Sequence, residues 1–304
     1  MLRALLLLAS TPCPFQWHSG STASSRTGPT SAHLGSATMM YGFHLQAHRN
    51  GWATIGVVET IRSFYTHEKI FVVTDDCNAN GGFNYSSACA YYGCHWSGYA
   101  DAAGYGQRAG STAASGLQWL KRVMRSMKYC DCKYLINMED DTCILRKILY
   151  PPPVDGVVGG VPWPKFNRSF VEYAHNVSGK VQDGISVWGC AGGCYFKTQF
   201  WLQYALQSPK LWTTRAVTAA RAAGAEVQFM DVIGPALAML GGGSVRAWVA
   251  VSEGGRGENV ARASIKHKCD SQLALRKLNA SSELWTTCSI RKVSHGRGLE
   301  EIGG

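Results

Sequence analysis

Two short apolar runs that each stop at a cluster of acids constrain this chain more than any other feature. Lys69–Thr74 (KIFVVT) and Lys133–Met138 (KYLINM) are rich in β-branched and large apolar residues, the pattern of strands buried on both faces. The first is followed by Asp75-Asp76 and the second by Glu139-Asp140-Asp141. Helical periodicities lie around them. Trp52, Ile55, Val58, Ile61 and Tyr65 recur every three to four positions and predict a helix over about 52–66. Leu117, Leu120, Met124 and Met127 form a second stripe, with Lys121, Arg122, Arg125 and Lys128 as polar residues and Ser115 as the expected N-cap. Met39–Ala47 reads as an earlier strand, followed by a turn at His48–Gly51. The stretch 77–110 reads as a loop rich in Gly, Asn and aromatics, with a further short strand within Tyr91–Trp96. Strands alternating with helices predict an α/β fold with parallel pairing and right-handed crossovers. Ligands of open α/β sheets bind beyond the carboxyl ends of the strands, where both acid clusters fall.

Composition narrows the class. The 304 residues are 46% hydrophobic and include 10 Trp, enough for a substantial core. Only 16% are charged, so disorder along the whole chain is excluded. No Gly-X-Y period, long heptad run or stretch of about 18 apolar residues appears, which excludes collagen, coiled coil and a polytopic membrane protein. The net charge of +10 fits either a solvated basic surface or a site for an anionic ligand such as a phosphate ester. The chain has no Lys/Arg block and no zinc-finger or RNA-recognition signature, so nucleic acid is not expected as a partner.

Cysteines and asparagines bear on the compartment. Eleven Cys is an odd number; Cys130-x-Cys132 and Cys190-x3-Cys194 lack the usual zinc-ligand spacing, which leaves disulfides or buried thiols. Asn84, Asn167, Asn176 and Asn279 begin N-x-S/T acceptor sites, an excess that fits passage through the secretory lumen, in the Golgi or endoplasmic reticulum, or secretion. Residues 1–18 hold one Arg and a short apolar run, expected to be a signal or a truncated anchor. Any membrane association is expected through that segment alone. Residues 19–38 read as a flexible Ser/Thr/Gly linker, with the folded part beginning near Met39.

Three adjacent carboxylates at a strand end repel one another and raise each other's pKa unless a cation joins them. Hard divalent cations favour carboxylate oxygen, and Mg²⁺ or Mn²⁺ sites combine one or two carboxylates with substrate phosphates. The competing reading is a solvated acidic turn. Asp75-Asp76 can accept hydrogen bonds from a ribose or nucleobase, or can cap a turn.

The run from Phe43 to Ile144 resembles the nucleotide-binding half of GT-A fold glycosyltransferases. FHLQAHRNGW is similar to that family's first strand and turn, KIFVVTDDC to its second strand with the nucleoside-contacting acid, and KYLINMEDDTCI to the strand ending in the D-x-D metal motif, here E-D-D. Val187–Phe196 (VWGCAGGCYF) is similar to the Gly-rich acceptor-side strand and turn, 226–243 to a helix with an acid in its first turn, and Ser264–His267 to a C-terminal strand that presents a metal-coordinating His. His44 and Gln46 depart from the pattern, being polar where that family's first strand is apolar.

The resemblance implies a single catalytic domain over 39–304, with a nucleotide-binding half 39–145 and an acceptor half 146–304. That domain would be a metal-dependent glycosyltransferase of the hexosyl class. It would use a nucleoside-diphosphate sugar donor, a hydroxyl of a glycan, glycoprotein or other acceptor, and Mn²⁺ or Mg²⁺. Glu139, Asp141 and His267 would be metal ligands, and Asp140 would bind the cofactor with them, directly or through water. Asp75 and Asp76 would contact the nucleoside, and Arg49 would support the diphosphate. Asp231 would be the catalytic base for an inverting reaction, and Trp188, Gly192 and Gly193 would lie on the acceptor side. Each role has a plainer alternative: a surface Arg49, a helix N-terminal Asp231, an exposed or satisfied His267, a bulge or tight turn at Gly192-Gly193 and a core Trp188. At the level of the whole chain the alternative is a catalytically silent GT-A-like protein that binds sugar or a partner.

Overall fold

Alternate residues along the central strands go to opposite faces of the sheet, and both faces are apolar, so each carries a core. The computed structural model describes residues 18–19, 39–47, 51–74, 83–98, 113–163, 187–189, 192–207, 234–235, 237–239, 241–252 and 263–269. The main sheet has eight strands. From edge to edge they are β1 (His18–Ser19), β4 (His95–Gly98), β3 (Ile70–Thr74), β2 (Met39–Ala47), β5 (Cys132–Glu139), β10 (Cys194–Lys197), β7 (Gly156–Gly159) and β11 (Ser244–Val245). Pairing is parallel through β4, β3, β2 and β5 and again between β7 and β11. It is antiparallel at β1 and on both sides of β10. The fold is α/β, an open and mostly parallel sheet flanked by helices, as the alternation of elements predicts.

Residues on β3 and β5 show the sorting. Val72, Ile136 and Met138 pack with Ile55, Val57, Val58 and Ile61 of helix α1 (Gly51–Arg62) and with Tyr85 and Cys89 of α2 (Tyr85–Tyr92). Phe71 and Leu135 pack with Trp119, Leu120, Val123 and Met127 of α3 (Ala113–Cys130) and Trp201 of α4 (Thr198–Gln207). Trp119, Trp201 and Trp248 are among the largest side chains fully removed from water, each worth upwards of about 2 kcal/mol of apolar burial.

Several boundaries differ from the sequence expectation. Helix α1 starts at Gly51 and ends at Arg62, not near 66. Its C-terminal end is held by the Arg62 guanidinium, which donates to the carbonyls of Tyr65 (2.9 Å), Glu68 (2.8 Å), Tyr92 (2.8 Å) and Gly93 (2.7 Å). The region expected to be loop contains α2, and Tyr91 and Tyr92 are helical; the strand begins only at His95. Asn84 caps α2 by accepting from the Ser87 amide, Gly93 ends it in the left-handed conformation, and a Cys89–Cys94 disulfide closes the turn. Helix α3 starts at Ala113, which places Ser115 inside it rather than at its cap.

A second disulfide, Cys130–Cys132, joins the end of α3 to the start of β5, while Cys143, Cys194 and Cys269 are buried. Among the described residues, no helix is long and apolar enough to cross a membrane.

Polar residues in β2 are buried, not displaced. His44 is 1% exposed and its Nδ1 shares a hydrogen bond with Ser126 Oγ of α3 at 2.8 Å. Burial, reinforced by Arg122, pushes the His44 imidazole from 6.5 down to about 3, so the folded protein holds it neutral. Below the unfolded value of 6.5 the unfolded chain takes up the proton first. The His44 contribution to stability is therefore complete above about pH 6.5 and declines as pH falls toward 3, by at most about 1.4 kcal/mol per pH unit. Urea midpoints measured from neutral to acid pH should fall less steeply in His44→Asn, which keeps a polar atom near Ser126, than in the wild type. Identical profiles would assign the acid sensitivity elsewhere.

Candidate metal centre

Strand β5 delivers the acid triplet. It runs to Glu139, the chain turns at Asp140-Asp141, and β6 (Thr142–Ile144) leads away. The Glu139 amide donates to Thr142 Oγ1 at 3.3 Å, which tightens the turn. A three-stranded sheet then fixes what faces these acids. Its order is β12 (Val251–Ser252), β13 (Ile265–His267), β6. β13 is antiparallel to β6, with His267 opposite Thr142 and Ile265 opposite Ile144.

Main-chain bonds extend this seam in both directions. The Cys269 amide donates to the Asp141 carbonyl at 2.7 Å, and the Leu145 amide to the Ser264 carbonyl at 2.8 Å. Ser264 Oγ donates to the Lys147 carbonyl at 3.0 Å and Arg146 Nε to the Ala263 carbonyl at 3.0 Å. On the other side, the Ile144 amide donates to Thr60 Oγ1 of α1 at 3.2 Å. A segment more than a hundred residues later in the chain is thereby locked beside the triplet.

His267 Nε2 lies 3.3 Å from Asp141 Oδ1 and 3.5 Å from Glu139 Oε2. One ligand atom from each of the three residues falls within 4.8 Å of the others. Octahedral coordination at about 2.1 Å separates neighbouring donors by about 3.0 Å and opposite donors by about 4.2 Å. The 3.5 and 3.3 Å separations of His267 Nε2 from the two carboxylates fall in that range, which allows the three donors to gather around one small divalent ion. Two carboxylates and one imidazole suit Mn²⁺ and also zinc-type ions by donor chemistry. This is the one group of its kind among the described residues. Asp140 is buried, lies in the turn and stands outside that group.

The other residues singled out from sequence divide clearly. Gly192 and Gly193 are buried at the entry to β10, with Gly193 at φ 122°, a tight-turn conformation that favours glycine. The backbone of Trp188 lies in β9 (Val187–Gly189), opposite Pro162 of β8 (Val161–Trp163). Arg49, Asp75, Asp76 and Asp231 lie outside the described residues, as do Asn167, Asn176 and Asn279. The strand preceding Asp75 ends at Thr74, and Gln46 of β2 is in register with both Val73 of β3 and Glu139 of β5. The ends of β3 and β5 therefore flank β2 at one edge of the sheet, about 10 Å apart. Sequence reasoning did not single out Arg62 as the residue that ties α1 to α2; a lone Arg at a helix end gives no such signal.

No family model and no curated protein matches this chain. Among solved structures it is similar to an active-site mutant of LgtC, with a TM-score of 0.47 and 11% identity over 78% of this chain and 95% of that one. It is also similar to the galactosyltransferase LgtC in complex with donor and acceptor sugar analogues, with a TM-score of 0.45 and 13% identity over 81% and 97%. The glycosyltransferase GlyE of Streptococcus pneumoniae TIGR4 gives a TM-score of 0.39 and 10% identity over 69% of this chain and 45% of that one. At such scores and identities, no residue role or substrate transfers from these proteins.

Proposed function

We propose that this protein is a divalent-cation-dependent glycosyltransferase that moves a sugar from a nucleoside-diphosphate sugar to an acceptor hydroxyl. One observation carries the reading: Glu139, Asp141 and His267 converge at the carboxyl end of a central parallel strand, the edge where open α/β sheets bind ligands. The likeness of the VVTDD and MEDDT segments to the GT-A nucleotide-binding half supports it.

Glu139 and Asp141 would supply two carboxylate donors, and His267 a nitrogen donor, to the cation. A bound Mn²⁺ or Mg²⁺ would act as a Lewis acid toward the charge that develops on the departing diphosphate; the imidazole donor favours Mn²⁺. Arg49 is assigned to the diphosphate as a bidentate donor. Asp75 and Asp76 are assigned to the nucleoside, and Asp231 to accepting the acceptor's hydroxyl proton. Trp188 and the turn at Gly192-Gly193 are placed on the acceptor side.

The compartment belongs to the same reading. Two disulfides among the described residues support an oxidising lumen. Asn84 is exposed, and its cap uses only Oδ1, which leaves Nδ2 for a glycan.

The experiment is a thermal-shift screen of nucleoside diphosphates against the full chain, with and without Mn²⁺, followed by donor hydrolysis. The expected result is a rise in melting temperature only when nucleotide and cation are present together, and turnover of the stabilising donor. No response to any nucleotide sinks the reading. Nucleotide or sugar binding with no turnover of any donor points instead to the silent binding protein.

A further inference from the structure

The imidazole of His267 meets a carboxylate pair at its Nε2 and a glycine at its ring face. Nε2 faces Asp141 and Glu139 at 3.3 and 3.5 Å. Over the ring, a Cβ built on Gly192 would lie 2.2 Å from Nδ1, 2.3 Å from Cγ and 2.7 Å from Cε1. No side chain is accommodated at such distances, so either the turn or the ring has to move.

The turn is the more firmly held of the two. A Cβ on the next residue, Gly193, would already be 3.0 Å from Val251 and 3.2 Å from Ile265, so the backbone there lies close against β12 and β13. Directly after it, β10 is bonded to β5 on one side and β7 on the other. The imidazole is attached through two rotatable bonds and is the part able to yield.

We infer that Gly192 is a positioning residue: its bare backbone seats the His267 ring with Nε2 toward the carboxylates and so sets the affinity of the Glu139–Asp141–His267 group for a divalent cation. This rests on the cation-site reading above. It assigns Gly192 a task different from the acceptor-side role expected from sequence. Residues that orient a metal-binding histidine without touching the ion commonly alter affinity by about 10- to 100-fold.

The test is a double-mutant cycle on the full chain, with Mn²⁺ alone as the probe, followed by electron paramagnetic resonance of free Mn²⁺ and by calorimetry. Gly192→Ala should weaken Mn²⁺ binding about tenfold or more in the wild-type background. In a His267→Ala background the same substitution should change nothing further, because no ring remains to be displaced. The cation-free unfolding midpoint, recorded for each variant, separates loss of affinity from loss of fold. Should Gly192→Ala not fold alone, the expected result is that Gly192→Ala with His267→Ala does fold; failure of both to fold overturns the inference. Equal Mn²⁺ affinity in the wild type and Gly192→Ala also overturns it, and leaves the cation site standing. A wild type that binds no Mn²⁺ overturns the seat and the cation site together.

Discussion

Asp141→Ala is expected to abolish cation-dependent nucleotide binding and to lower sugar transfer by about 10²- to 10³-fold, with little change in the stability of the cation-free protein. On the proposed function, the magnitude follows from the removal of one of two carboxylates from a site that would stabilise transition-state charge, a contribution of several kcal/mol. The small effect on folding follows from the geometry. The Asp141 main chain, not its side chain, accepts the bond from the Cys269 amide, and alanine retains that carbonyl. The side chain is 27% exposed, so its loss leaves no sealed cavity. Steady-state rates at saturating Mn²⁺ and the melting temperature without Mn²⁺ are the two measurements. A variant with wild-type rates would show that the carboxylates are an acidic turn and nothing more.

The second large effect is on stability. Arg62→Ala should lower the unfolding free energy by roughly 3 kcal/mol, since four carbonyl oxygens share one cationic donor and hydrogen bonds to charged groups contribute more than neutral ones. These carbonyls come from the segment after α1, the end of α2 and the residue that caps it. The loss should therefore be felt in both helices at once. Arg62→Lys should recover only part of it, because an ammonium cannot reproduce the planar fork that spans the four oxygens. Urea unfolding is the measurement, read as a fall in midpoint with the slope unchanged. A drop below 1 kcal/mol (about the level of a surface pair) would mean that water replaces the guanidinium without penalty.

The legible parts of the fold were those in which one local pattern dominates. Strands β3 and β5 are continuous apolar runs, and α3 has a stripe of large residues; of its basic residues Lys121 and Lys128 are exposed, whereas Arg122 is buried, contrary to its expected polar place. Helix α2 was hidden because eight residues give barely two turns of periodicity, and its stability comes from its ends: Asn84, Gly93 and the Cys89–Cys94 bond. The insertion of β10, antiparallel between β5 and β7, has no local signature either, since pairing order is set by packing over long separations. His44 and Gln46 looked misplaced in an apolar strand. They lie on the face opposite Phe43 and Leu45, where α3 offers His44 a hydroxyl.

At the candidate site, the acids were readable as a cluster at a strand end. The contact that seats His267 was not, because it depends on the absence of atoms at Gly192, far away in sequence. Glycine in a G-G pair has many explanations, and only coordinates show which atom a methyl group would meet.

Because β13 closes over the turn after β5, the cation site has no early form during synthesis. A ribosome that has released the sheet strands up to β5 has exposed Glu139 and Asp141 without the imidazole that completes the triad. On the proposed reading, the nascent chain would lack its third cation ligand until residue 267 clears the exit tunnel, and a frameshift between β11 and β13 would yield a protein with most of its core and no such imidazole.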